Sequence, residues 1–286
     1  MNEPSIPLCR ECHELLGEDL TCDNPDCRHC VEPEESRIVV HFSCGAASAV
    51  AAKLSIAKYG HDRVILLNAF IREEHSDNRR FLADCERWLD HPVTVIQSKK
   101  FFASTHEVWR RERYIKGLHG ASCSRALKRD LLAQFALPDD THVLGFTRDE
   151  QDRVDSFIDA NNGISAEFPL IDANLSKADC LGIIERAGIE IPMMYRLGFS
   201  NANCIGCCKG GMGYWNRIKT HFPEQFYQIA DIQEAIGEGA FFLRHPDTKE
   251  RMKLRDLPED RGTHEEPEIS CSFFCLMAEQ DFGGAS

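Results

Sequence analysis

The chain has 286 residues, of which 43% are hydrophobic and 28% charged, with fourteen cysteines and a formal net charge of −13. That length holds one sizeable α/β core plus a small appendage, and the mixture excludes a disordered chain except at its ends. No stretch reaches the about 18 apolar residues of a membrane span, no basic-then-apolar leader opens the chain, and the acidic balance opposes sequence-blind binding of nucleic acid, so a cytoplasmic protein is expected.

Residues 1 to about 33 are cysteine-rich with little apolar periodicity, and they lead into the linker-like Val31-Glu-Pro-Glu-Glu-Ser36. In a reducing compartment, thiols are better explained by metal ligation or redox chemistry than by disulfides. Cys9-x-x-Cys12 and Cys27-x-x-Cys30 form two knuckles fourteen residues apart, and together they can close a tetrahedral four-thiolate shell. Zn2+ is expected there. Iron is the alternative metal, and Cys22, His13 and His29 are substitute ligands. The metal would contribute much of the folding free energy of so short a segment.

Beyond the linker the pattern becomes regular. Strands are expected at Ile38 to Ser43, Arg63 to Ala69, Val93 to Gln97 and His142 to Phe146, separated by helices near Ala46 to Tyr59, Asn78 to Leu89 and Arg125 to Phe135. This alternation implies an α/β fold, a mostly parallel sheet flanked by helices. From about Phe168 the chain reads as interrupted helix, with Ser176 capping a helix to Ala187. The expected division is a zinc-binding module at 1–33, a nucleotide-binding α/β domain at 37–167 and a helical C-terminal region at 168–286.

The run from Arg37 to Lys53 reads as strand, anion-binding loop and helix. Small residues between Ser43 and Ser48 let a phosphate approach the backbone, and the amides and dipole of the following helix favour negative charge there. No Gly-Lys-Ser/Thr follows, so this is not a Walker loop; an ordinary strand-to-helix turn is the alternative. In open parallel sheets, ligands bind beyond the carboxyl ends of the strands, where Ser43 would lie. Between Lys99 and Arg129 nine positive residues face two glutamates, which makes either a solvated helical face or a basic rim for an anionic substrate.

Cysteines recur within the main domain at Cys123, in Cys204-Ile-Gly-Cys207-Cys208, and at Cys271 and Cys275. Distant thiols beside a CxxC suit an iron–sulfur cluster assembled from separate segments. Cys85 and Cys180 sit within amphipathic helices and read as buried small hydrophobes.

Three motifs carry a family resemblance. Ser43-x-Gly45-x-x-Ser48 resembles the pyrophosphate loop of the adenine-nucleotide alpha-hydrolase, or PP-loop, superfamily, whose usual form is S-G-G-x-D-S; Cys44 stands for a glycine and Ala47 for the acid. Cys123-Ser-Arg-Ala-Leu-Lys128 resembles a Cys-x-x-x-Leu-Lys element, and Leu144-Gly-Phe-Thr-Arg148-Asp-Glu150-Gln-Asp-Arg153 a Gly-x-x-Arg-x-Glu/Gln element with a later arginine. In this order they make residues 37 to 275 similar to the phosphoadenosine phosphosulfate reductase family, in a cysteine-rich branch carried by phages and bacteria.

The resemblance implies a Rossmann-like sheet and an adenine nucleotide, ATP or a sulfonucleotide, held by Ser43, Gly45, Ala46, Ser48, Arg148 and Arg153. Arginine suits bidentate contact with phosphate or sulfate, although pairing with Asp149, Glu150 or Asp152 competes. The loop alanine leaves Mg2+ open. Lys128 would neutralise the anion or lower a thiol pKa. The expected [4Fe-4S] ligands are Cys123, Cys204, Cys207 and Cys275, with Cys271, Cys208 or no protein ligand as the alternatives at the fourth position, and Cys271 is the reactive thiol, in a tail that lacks the family's Glu-Cys-Gly-Leu-His. The implied reaction is sulfonucleotide reduction with a thioredoxin-like or other electron donor. The alternatives are ATP-dependent thiolation of a nucleic-acid acceptor and a non-catalytic nucleotide-binding adaptor.

Overall fold

A computed structural model describes residues 36–117, 120–161, 163–259 and 261–262. The chain divides between Arg37 and Ile38, and everything below concerns the part that begins at Ile38. The proposed zinc ligands Cys9, Cys12, Cys27 and Cys30, and the tail cysteines Cys271 and Cys275, lie outside the described residues.

The elements follow in order as β1 (Ile38–His41), α1 (Ala46–Tyr59), β2 (Val64–Ala69), α2 (Asp77–Leu89), β3 (Val93–Ile96) and α3 (Thr105–Glu112). A short antiparallel pair, β4 (Lys116–Gly117) and β5 (Gly120–Ala121), leads into α4 (Ser122–Ser124), a π-helical turn at Arg125–Arg129 and α5 (Asp130–Phe135). Then come β6 (Thr141–Val143), α6 (Gln151–Ala160), β7 (Ser165–Glu167), α7 (Pro169–Asp172), α8 (Lys177–Arg186), α9 (Met193–Arg196), α10 (Met212–His221) and α11 (Pro223–Ile236), with β8 (Leu243–Arg244) and β9 (Arg251–Met252) last.

Five strands form one sheet in the order β3-β2-β1-β6-β7, every pair parallel. Central β1 is buried along its whole length, as a strand covered on both faces must be, which is why its sequence is a continuous apolar run rather than an alternation. Ile38, Val40 and Phe42 pack with α1, α2 and α8 through Ala49, Phe81 and Ile184. Val39 points to the other face, among Leu132, Val154 and Phe157 of α5 and α6. A third core gathers Trp109 of α3, Leu127, Trp215 of α10 and Ile229 of α11.

Local chemistry sets the boundaries. The alanine-rich α1 ends at Gly60, whose φ of +80° closes the last turn with a bond to Ile56 O. Ser176 caps α8 as expected: its Oγ accepts from Asp179 N at 3.1 Å, and the Asp179 carboxylate accepts from Ser176 N at 2.9 Å, a reciprocal capping box. The chain leaves β1 for β2 and β3 on one side, then returns to place β6 on the other. Ligands of open α/β sheets bind at such a reversal, beyond the carboxyl ends of the two strands. No helix among the described residues is long and apolar enough to cross a membrane.

All four strand expectations shorten. β1 stops at His41, because Ser43 belongs to the loop, the 142–146 run is strand only to Val143, β2 starts at Val64 and β3 ends at Ile96. A fifth strand, β7, was not expected.

Candidate active site

The loop after β1 is organised around Ser48. Its Oγ accepts from the amides of Ser43 at 3.1 Å and Gly45 at 3.3 Å, and donates to Gly45 O at 2.9 Å. Cys44 adopts a left-handed φ of 58°, the conformation in which the superfamily's glycine costs nothing. Its side chain is fully buried and accepts weak bonds from Asn68 and Arg79; burial pushes its thiol pKa up, so it is no nucleophile. The α1 N-terminus carries no acid in its first turn, which leaves its dipole and first amides available to an anion.

Gly145, after β6, packs on this loop. A Cβ there would lie 3.1 Å from Ala47 C and from Ser48 N. The glycine of the third motif therefore admits close backbone contact between the β6 turn and the phosphate loop. Between the two lies a pocket of about 120 Å³.

Ser43, Gly45 and Ser48 line this pocket together with Lys128 and Arg153. Ala46 is buried at the start of α1 without reaching the lining, whereas Ala47 does reach it. Arg148 is a correction: it stands outside the lining, donates to Asn174 O at 3.5 Å and lies 3.5 Å from Asp149. The 3-10 turn that begins at Arg148 carries its side chain away while returning Glu150 and Arg153 to the pocket. Arg153 pairs with Glu150 and stacks over Phe146, 4.7 Å from the ring centroid. The expected competition from ion pairing is thus real, yet both partners face the pocket.

Other residues of the pocket carry no sequence signal. The Tyr195 hydroxyl stands 3.0 Å from where a Cβ on Gly45 would sit, over the loop. Lys177 donates to Asn201 at 2.8 Å, and both line the pocket with Tyr195. Glu74 forms part of the floor. Burial raises its pKa, opposed by Lys128, a bond from Asn78 and the nearby Arg79. His41, which lines the pocket, meets His142 at 3.1 Å; burial, then His142 and Lys128, lower its pKa.

A second, smaller cavity adjoins. Cys123, Cys204, Cys207 and Cys208 line it with Trp109 and Lys209. Three of these were expected; Cys208 joins them. Glu74 bridges the two cavities through the backbone, because it pairs antiparallel with Cys204, and Ile205 N donates to Glu73 O at 2.8 Å. A hydrogen bond from Cys208 holds the Cys123 thiol below its ordinary pKa against the effect of burial, with Lys209, the Trp109 indole and Lys128 adding to it. Cys208 is correspondingly pushed well up. Among the described residues no three His, Cys, Asp or Glu side chains are grouped to hold a single metal ion. Cys85 and Cys180 are fully buried in helices, as read from the sequence, with pKa values raised to about 12 and about 11.

Over 168 residues the chain is 27% identical to argininosuccinate synthase of Methanopyrus kandleri. The match covers 55% of this chain and 42% of that protein, so the chain spans less than half of its relative. That relative is a member of the PP-loop superfamily, whose fold the parallel sheet fits. No family model matches, and the narrower resemblance to phosphoadenosine phosphosulfate reductases rests on the three motifs alone.

The basic segment resolves into internal pairing. Arg110 and Arg111 both face Glu107, Arg125 binds Glu112, and Arg113 donates to the carbonyls of Ala235 and Ile236 at the end of α11. Lys128 is buried and lines the pocket.

Proposed function

We propose that the chain is an adenine-nucleotide-dependent enzyme of sulfur chemistry, in its most literal form a sulfonucleotide reductase. One observation carries the reading: four cysteines line a cavity coupled to the nucleotide pocket by the backbone pairing of Glu74, in the pocket lining, with Cys204, in the cavity lining. The likeness to the superfamily supports an adenine nucleotide, ATP included.

This reading assigns an iron–sulfur cluster to the thiol cavity. Four cysteines line it beside the buried Trp109 indole. Lys209 and Lys128 lower the pKa of Cys123, and Lys116 acts the same way on Cys208, so the positive charge that several thiolates require is present. A cluster holds its thiolates further apart than one ion does. Cys123, Cys204, Cys207 and Cys208 would be its ligands, with Cys208 in the place expected of Cys275. When bound it would supply an electron store and a fixed charge tuned by its hydrogen bonds.

The chain's own residues account for the rest. Loop amides and the α1 N-terminus bind the phosphates, and Lys128, Lys177 and Arg153 offset their charge. The thiolate of Cys271 attacks the sulfonucleotide sulfur; the sulfur–oxygen bond breaks, and the adenosine phosphate leaves with the electron pair. A second thiol then attacks the resulting thiosulfonate, releases sulfite and forms a disulfide, which a thioredoxin-like dithiol reduces with two electrons. The described chain closes at Gly262 against the backbone of Met212 and Gly213. Cys271 follows nine residues later, a reach of about 30 Å. The N-terminal pair of CxxC knuckles is proposed to hold structural Zn2+.

The test is anaerobic titration with adenosine phosphosulfate, phosphoadenosine phosphosulfate and ATP, followed by assay of sulfite and nucleotide products. Sulfite release with a thiol donor supports reduction. The other reading is ATP-dependent sulfur transfer, for which the superfamily match supports only the use of ATP; diphosphate release that depends on an added nucleic acid would select it. Binding without turnover would reduce the protein to an adaptor.

A further inference from the structure

The segment from Asn203 to Gly211 carries three cysteines yet belongs to no helix and no sheet. Something other than secondary structure fixes it. Cys204 and Ile205 pair with the backbone of Glu74 and Glu73, and one phenol holds the turn that follows. Tyr214, in the first turn of α10 and only 3% exposed, places its hydroxyl inside the curve of the loop. The oxygen accepts from Gly206 N at 3.0 Å and Cys207 N at 2.9 Å, and the hydroxyl donates to Cys204 O at 2.9 Å.

Two glycines make the fit possible. Gly206 has a φ of +78°, and a Cβ on it would lie 2.3 Å from Ile229 Cδ1. A Cβ on Gly210 would lie 2.1 Å from Tyr214 Cδ1. Gly210 thus lies against the Tyr214 ring, while Gly206, whose amide bonds the hydroxyl, packs on Ile229 and Trp215. Burial, reinforced by Cys207 and Cys204, raises the phenol pKa well above its usual value, so the hydroxyl keeps the proton it donates to Cys204 O.

We propose that Tyr214 is the positioning residue of the cysteine loop, setting the spacing of Cys204, Cys207 and Cys208 and withholding two peptide N–H donors from their sulfurs. This rests on the reading that these thiols form the working site. A peptide N–H that reaches a thiolate stabilises it, and releasing two of them should change thiol chemistry as well as loop order.

The experiment uses the full-length protein, stripped of metal by a chelator under anaerobic conditions. Iodoacetamide labelling is followed residue by residue by mass spectrometry between pH 6 and 10. Tyr214→Phe keeps the ring and removes only the hydroxyl. ATP affinity should stay within about twofold, while labelling of Cys204 and Cys207 accelerates at least tenfold at every pH. Rates within twofold of wild type would overturn the proposal. Hydrogen exchange on the unaltered protein tests it even if the variant does not fold: the Gly206 and Cys207 amides should exchange as slowly as the interior of α10, and fast exchange at both would refute the clamp. Absence of iron and of nucleotide affinity in wild type would sink the proposed function, while slow amides and the labelling change would still stand.

Discussion

A single methyl group at position 145 probes the nucleotide pocket. In Gly145→Ala the new Cβ would lie 3.1 Å from Ala47 C, 3.1 Å from Ser48 N and 3.2 Å from Ala47 O. All three are backbone atoms of the phosphate loop, so no side chain can rotate to relieve the contact. The loop and the β6 turn must separate by a few tenths of an ångström. Overpacking of this kind costs about 1–3 kcal/mol, and a domain this large loses about 2–4 °C in Tm per kcal/mol. A fall of about 2–12 °C is expected, together with at least a tenfold loss of ATP affinity because the Ala47 and Ser48 amides are displaced. Gly45→Ala is the control: its Cβ meets only side-chain atoms, Tyr195 Oη at 3.0 Å and Ser43 Oγ at 3.7 Å, which can move. It should cost less stability than Gly145→Ala while still weakening ATP. Differential scanning fluorimetry and calorimetric titration give both quantities. A Gly145→Ala protein with wild-type Tm and affinity would refute the packing argument and detach the third motif from the pocket.

The positive charge of Lys128 favours the Cys123 thiolate, so Lys128→Met should raise the pH midpoint of Cys123 labelling; an unmoved midpoint would separate the two cavities electrostatically. In anaerobic preparations Cys207→Ala and Cys208→Ala should each lose most iron, whereas Cys275→Ala keeps it, and Cys271→Ala keeps iron but loses turnover. Iron retained without Cys208 and lost without Cys275 would return the fourth position to the tail. Cys12→Ser should release zinc while ATP binding persists, and full zinc occupancy in that variant would dismiss the two-knuckle shell.

What the sequence disclosed follows from the range of the forces involved. The α1 bounds, the parallel sheet and the Ser176 cap depend on neighbours a few residues apart, and apolar periodicity records them. β7 escaped because Ser165, Ala166 and Glu167 form a short, partly exposed edge with no alternation to read. Arg148 and Arg153 share a motif, but a 3-10 turn followed by a helix rotates them apart, and linear spacing alone does not register that rotation.

The thiol site lies between these cases. CxxC spacing announced Cys204 and Cys207, since two ligands so close must share a neighbourhood. It could not choose the fourth thiol, because Cys208 and Cys275 are equally available to a chain whose path is unknown. The choice came from tertiary contacts: Glu73 and Glu74, just beyond β2, pair with Cys204 and Ile205, and the Cys208 thiol meets that of Cys123 across 85 positions of sequence. Tyr214 left a fainter mark, a Gly210-Gly211 pair just before α10. Glycines there let the backbone close on a large side chain, and the Gly210 contact shows which one. Tyr214→Phe and Cys208→Ala therefore test two separate steps: how the loop is shaped, and what the shaped loop holds. If the first variant scatters thiol reactivity and the second removes iron, the loop is a preformed ligand set. If only the first has an effect, the clamp orders thiols for a role other than ligation.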